Sequence, residues 1–151
     1  MSKVYLAAPW FYGDQPKKLS RVESCLDSFE ELNVFSPRRE TQIQDGAPEE
    51  ARRKTFLANV ENIKSSDFIV AIVDDSDKGT LFECGLAYAF GVPILYYSEH
   101  AEKKPFNLML VESCEQLGYV TNIDDLKARI SKLLEVGIEN MHGCKFKGVV
   151  E

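Results

Sequence analysis

Little in this sequence points to nucleic acid, a membrane or a metal. Its 151 residues hold 18 Lys and Arg against 24 Asp and Glu, for a net charge of −6. No basic stripe breaks that balance, which argues against a polymeric phosphate backbone as partner. Apolar runs stop well short of the roughly 18 residues that a membrane-crossing helix needs. Histidine occurs only at His100 and His142, and Cys25, Cys84, Cys114 and Cys144 stand far apart with no Cys-x-x-Cys pair. That spacing argues against a metal site and for reduced structural thiols. A lone loop histidine such as His100 reads as solvated rather than catalytic. Residues 1–5 enter a strand at once, without the apolar stretch and cleavage site of a secretory leader, so the expectation is a soluble, cytoplasmic protein.

What is present is the make-up of one globular domain over residues 1–151. Hydrophobic residues make up 44% and charged residues 28%; a chain of this length buries about two-thirds of the surface it exposes unfolded. The chain is organised around residues 67–91. Phe68 to Val73 is a nearly unbroken apolar run rich in β-branched residues, the pattern of a strand buried on both faces of a parallel sheet. An acidic loop with Asp74, Asp75 and Asp77 follows, Gly79 and Thr80 open a helix, and Gly91 stops it. In that helix Glu83, Leu86, Ala87 and Phe90 recur at helical spacing, so a carboxylate begins a stripe expected to face the packed side. The helix dipole favours its ionised form and partial burial opposes it. A nucleophile needs that combination, although the same position suits an ordinary first-turn acid.

Further strands are expected at 4–8, 34–37, 91–97 and 118–120. Helices are expected at 17–32, closed by Asn33, then at 48–65 with Phe56, Val60 and Ile63 inward, at 106–114 and at 123–136. Residues 137–151 show too little periodicity to assign. Strands alternating with helices give a doubly wound, five-stranded parallel sheet of flavodoxin-like order 2-1-3-4-5. Its ligand crevice falls at the ends of strands one and three, where Tyr5, Trp10 and Phe11 meet the acidic loop and Glu83. Trp10 and Phe11 suit stacking on a flat ring and equally suit covering the sheet edge. Tyr5, inside its strand, needs a partner for its hydroxyl, either a carboxylate or the backbone. A glutamine in the polar loop 38–46 offers both a donor and an acceptor to a ligand, or is only solvated. A glycine-rich phosphate loop is missing: Gly79 stands alone, and the acidic run would repel a phosphate. A neutral polar ligand with a flat ring fits better than a nucleotide.

Four blocks run in order over nearly the whole chain: Val4-Tyr5-Leu6-Ala7-Ala8-Pro9-Trp10-Phe11, Phe35-Ser36-Pro37-Arg38, Asp77-Lys78-Gly79-Thr80-Leu81-Phe82-Glu83-Cys84-Gly85-Leu86-Ala87, and Asn107-Leu108-Met109. Together they resemble the nucleoside 2-deoxyribosyltransferases. The resemblance implies transfer of 2-deoxyribose from a deoxynucleoside to a free nucleobase, with Glu83 as nucleophile, Tyr5 holding it and Asp77 facing the base. It implies substrate contacts from Trp10, Phe11, Gln42, Asn59 and Gly79, and no metal or organic cofactor. It also implies a homo-oligomer, dimer to hexamer, with active sites shared between subunits. Asn107 and Met109 would be lent to a neighbour, and the chain's own terminal carboxylate, Glu151, would lie near the sugar 5′-hydroxyl. Exposed apolar character at Phe106, Leu108, Met109 and Leu110 is expected to serve that assembly. Asn59 departs from the pattern, standing where relatives carry a second base-side aspartate, which bears on base preference.

The chemistry asks for these residue types. Breaking an N-glycosidic bond passes through an oxocarbenium-like state that a nearby carboxylate stabilises and then traps. The leaving base needs a proton, and crowding among Asp74, Asp75 and Asp77 is expected to supply an acid, with Asp77 the choice. The alternative is an N-glycoside hydrolase of deoxynucleosides or their 5′-monophosphates, which shares the nucleophile. Monophosphate hydrolases that resemble this fold carry a small Gly- and Ser-rich phosphate loop where this chain has bulky Pro9-Trp10-Phe11, which favours transfer. A non-catalytic nucleoside-binding module would need only a helix-turn acid, and the joint presence of Tyr5, Asp77 and Glu83 argues against it.

Overall fold

Alternation of β-branched runs with amphipathic segments yields a five-stranded sheet, parallel throughout, in the order β2-β1-β3-β4-β5. The computed structural model describes all 151 residues, Met1–Glu151. Its elements are β1 (Ser2–Ala7), α1 (Gln15–Asp27), β2 (Leu32–Phe35), α2 (Pro37–Glu40), α3 (Glu49–Lys64), β3 (Phe68–Ile72), α4 (Lys78–Ala89), β4 (Ile94–Tyr97), α5 (Leu108–Ser113), β5 (Tyr119–Val120) and α6 (Ile123–Val136). The doubly wound order and the central place of β3, every residue of which is buried, agree with the sequence pattern. No helix is long and apolar enough to cross a membrane.

Side chains alternate across the sheet and split the core into two layers. Val4, Leu6, Phe68 and Val70 pack with Leu19, Val22 and Leu26 of α1 and with Leu126, Ile130 and Leu133 of α6. Tyr5, Ala7, Ile69 and Ala71 point to the other face, against Ile63 of α3 and Cys84 and Ala87 of α4. Each of the Val, Leu, Ile and Phe side chains among them contributes about 1.5–3 kcal/mol by leaving water. The register pairs Tyr5 with Phe35 and with Ile69, and its hydroxyl reaches Glu83 on α4.

Several boundaries differ from expectation. α1 ends at Asp27 because the Ser28 N–H folds back on the carbonyls of Ser24, Cys25 and Leu26. The chain must then be extended by Leu32, which pairs with Ser2, so Asn33 lies in β2 rather than closing a helix. β2 gives way at Pro37 to the short α2, and the first part of the 38–46 loop is helical. Phe56 does not point inward: it is exposed and lies 6.2 Å from exposed Phe82 on α4. Phe90 is exposed too, leaving Thr80, Cys84 and Ala87 as the buried residues of α4. Gly91, at φ +72, supplies the left-handed stop.

The tail, unreadable as periodicity, is held by pairing. Phe106 is buried rather than exposed, stacked on Phe146 at 5.4 Å. Its N–H donates to the Val149 carbonyl at 2.8 Å, and the Glu151 N–H returns a bond to the Phe106 carbonyl at 3.0 Å. α5 accordingly begins at Leu108, capped by Asn107, whose Oδ1 accepts from the Met109 N–H at 2.9 Å.

Candidate active site

At the C-terminal edge of the sheet, Asp77 starts α4. Its Oδ2 accepts from the Thr80 N–H at 2.8 Å and the Thr80 hydroxyl at 3.0 Å, the geometry of an N-cap. Gly79 lies in that first turn, where a Cβ would come within 3.3 Å of the same carboxylate oxygen. Six residues past the cap, Glu83 turns toward β1. The Tyr5 hydroxyl donates to its Oε2, and the Tyr5 ring is fixed by stacking on Phe35 at 5.5 Å. Oε1 of Glu83 is engaged by no protein donor, so one carboxylate oxygen is held and the other is free.

Burial pushes the Glu83 carboxyl up to about 7, with the charge of Asp77 adding to the rise and the Tyr5 hydrogen bond opposing it. Burial and the Glu83 charge drive the Tyr5 hydroxyl far above its usual range, so it stays a proton donor. The expected crowding among the acidic residues of the loop takes another form. Asp74, with 1% of its side chain exposed, faces α1 and β4, meeting Lys18 Nζ and the Ser98 hydroxyl, each at 2.7 Å. Burial would raise its carboxyl, but the bonds from Lys18 and Ser98 hold it below the usual range. Asp75 is exposed and accepts from Gln15 Nε2 at 3.0 Å. Like-charge crowding is thereby confined to Asp77 and Glu83.

The remaining sequence-derived candidates fall into two cavities, neither lined by Tyr5, Asp77 or Glu83. One, about 350 Å³, is lined by Trp10, Phe11, Pro37, Thr41, Gln42 and Asn59, among others. Trp10 leans on the α1 side of the core while Phe11, 4.7 Å away, is open, so the pair both covers the sheet and presents a ring. The Thr41 hydroxyl donates to Asn59 Oδ1 at 2.7 Å. The other cavity, about 500 Å³, lies on the β4 side of α4 and takes in Ser76, Cys84, Tyr96, Asn107, Met109 and Glu151. Glu151 shares this cavity with Asn107 and Met109. Sequence reasoning missed Lys18, Glu23 and Thr80. Lys18 and Glu23 had a signal: each shares a helix face with apolar residues, Val22 for one and Leu19 and Leu26 for the other.

A family profile described as nucleoside 2-deoxyribosyltransferase matches residues 4–127. No curated protein matches the sequence. Among solved structures, a 2-deoxyribosyltransferase from the psychrotolerant bacterium Bacillus psychrosaccharolyticus is 32% identical, with a TM-score of 0.73 over 83% of this chain and 90% of that one. Two more distant structures share the fold. A 2-deoxyribosyltransferase from Leishmania mexicana is 19% identical, with a TM-score of 0.57 over 91% of this chain and 99% of that one. A CMP N-glycosidase from Clostridium botulinum is 16% identical, with a TM-score of 0.60 over 85% and 98%. A profile that spans most of the chain and a relative at that identity place the protein in the nucleoside 2-deoxyribosyltransferase family of glycosyltransferases.

Proposed function

We propose that this chain moves 2-deoxyribose from a 2′-deoxynucleoside to an acceptor nucleobase through a covalent glycosyl-enzyme on Glu83, with net retention. The observation that carries the reading is the Tyr5–Glu83 pair: a desolvated carboxylate with one oxygen gripped and one free, at the open end of a parallel sheet. In the first step the free oxygen attacks C1′, the C1′–N bond breaks and its electron pair leaves with the base, which takes a proton. Asp77 is the proposed donor, reaching through Oδ1 because Oδ2 is occupied by Thr80. In the second step a nitrogen of the incoming base attacks C1′ from the vacated face, the ester bond to Glu83 breaks with its electron pair returning to the carboxylate, and the proton shed by that nitrogen passes to Asp77 and restores the acid. Two inversions restore the configuration. None of these steps calls for a metal or an organic cofactor.

The cavity with Trp10, Phe11, Gln42 and Asn59 is the proposed seat of the base, with Gly79 leaving room beside Asp77. Asn107, Met109 and Glu151 are proposed to act in trans on a neighbouring copy's site. The test is to incubate the protein with deoxyinosine or thymidine, with and without adenine, and to separate the products. Deoxyadenosine formed only with both partners present is the expected result. Free base released at the same rate without an acceptor would replace this reading with hydrolysis.

A further inference from the structure

The two walls of the base cavity come from different parts of the chain. Trp10 and Phe11 lie on the connection between β1 and α1, whereas Pro37, Thr41 and Gln42 follow β2. Behind the cavity, Arg38 bridges them. Its Nη1 donates to the Pro16 carbonyl at 3.1 Å, and its Nη2 donates to the Ser20 hydroxyl at 3.0 Å and to Glu23 Oε2. Glu23, only 3% exposed, also accepts from the buried Ser36 hydroxyl at 2.7 Å. The α1 end of the bridge continues to the aromatic wall, since Gln15 Oε1 accepts from the N–H groups of Phe11 at 3.0 Å and Tyr12 at 3.1 Å. The other end continues from Pro37 through Thr41 to Asn59.

Resting on the proposed nucleobase reading of this cavity, we infer that Arg38 is a positioning residue that sets the cavity's width, and with it affinity for the base. Three acceptors in different directions need a planar fork; an ammonium is a single point charge and cannot hold all of them at once. The Phe35-Ser36-Pro37-Arg38 block thereby acquires a physical reason, because Ser36 and Arg38 grip the same buried carboxylate from either side of the proline that lines the cavity.

Trp10 is the sole tryptophan and stands in the cavity wall, so its fluorescence reports occupancy without any turnover. In a titration with adenine, Arg38→Lys is expected to bind about tenfold more weakly than wild type. Its KM for adenine as acceptor should rise by a similar factor, with kcat held within about threefold. Asp27→Asn, which removes only the surface partner of Arg39, should leave both unchanged. Adenine affinity of Arg38→Lys within twofold of wild type, or a loss confined to kcat, would overturn the assignment. If circular dichroism shows that Arg38→Lys does not fold, Glu23→Gln takes its place with the same expectation and the same overturning result. Wild type that transfers deoxyribose beside an Arg38→Lys protein of normal affinity rejects the bridge alone. Wild type that binds adenine but transfers nothing rejects the transferase reading, and the titration still decides the bridge.

Discussion

Burial and the charge of Asp77 raise the Glu83 carboxyl to about 7 while the Tyr5 hydroxyl pulls it back, so the ionisation of Glu83 answers to both neighbours. Glu83→Ala should fold and lose several orders of magnitude in kcat, since it removes the covalent route; near-normal turnover would contradict the nucleophile assignment. Tyr5→Phe deletes the one bond that favours the ionised form, so the acid limb of kcat/KM should move to higher pH than in wild type. An unmoved limb would reduce Tyr5 to packing. The same shift has a sign for stability. Between the ordinary glutamate value and about 7 the folded chain binds more protons than the unfolded one, so this group's contribution to stability falls as pH rises through that window. Glu83→Gln should therefore be more stable than wild type by on the order of 2 to 3 kcal/mol at pH 8 and gain nothing at pH 4. Urea unfolding at the two pH values checks this, and an equal gain at both would exclude the linkage. The Tyr5–Glu83 contact was legible because each residue broke a local pattern, a hydroxyl in a buried strand and an acid on an apolar stripe. The pairing of Lys18 with Asp74 spans 56 positions and depends on how β3 and β4 end, which no local pattern encodes.

Among the elements, α1 does more than cover the sheet. Its inner face carries Leu19, Val22 and Leu26 into the core while Lys18 and Glu23, on the same side, tie down the chain after β3 and after β2. Lys18→Met would leave Asp74 buried without its cation, which costs about 3–5 kcal/mol by urea denaturation. Adding Asp74→Asn should recover a large part of that loss; a double variant as unstable as the single one would show that the pair is not the cause. Periodicity revealed α1 and α6 because both alternate strongly, and it revealed β3 because that strand is apolar throughout. It could not set where α1 stops: Phe29 continues the apolar spacing, yet the pairing of Leu32 with Ser2 requires extended chain three residues later. Nor could it show the α3–α4 outer face, where Phe56 and Phe82 meet in solvent. An exposed aromatic and a core aromatic look alike in sequence.

For the whole molecule, strand order was legible because right-handed crossovers leave few arrangements for five parallel strands. Assembly into an oligomer was an expectation from resemblance alone. Leu108 is 50% exposed, Met109 73% and Val149 67%, and Met109 lines the cavity that gathers Asn107 and Glu151. A symmetric homo-oligomer, at least a dimer, is the expected state in sedimentation at micromolar concentration. If sites are shared, mixing inactive Glu83→Ala with inactive Asn107→Ala should restore part of the activity, since some mixed sites contain both intact residues. An active monomer, or mixtures that stay inert although subunits exchange, would rule out sharing. Subunit exchange can itself be followed, because three of the four thiols are buried and Cys144 alone is exposed. A maleimide dye will attach at one position per chain, in the tail rather than in the reaction centre, and pools carrying donor and acceptor dyes will report mixing by energy transfer. The same handle is a liability in storage, since in the absence of reductant Cys144 is where one copy will cross-link to another.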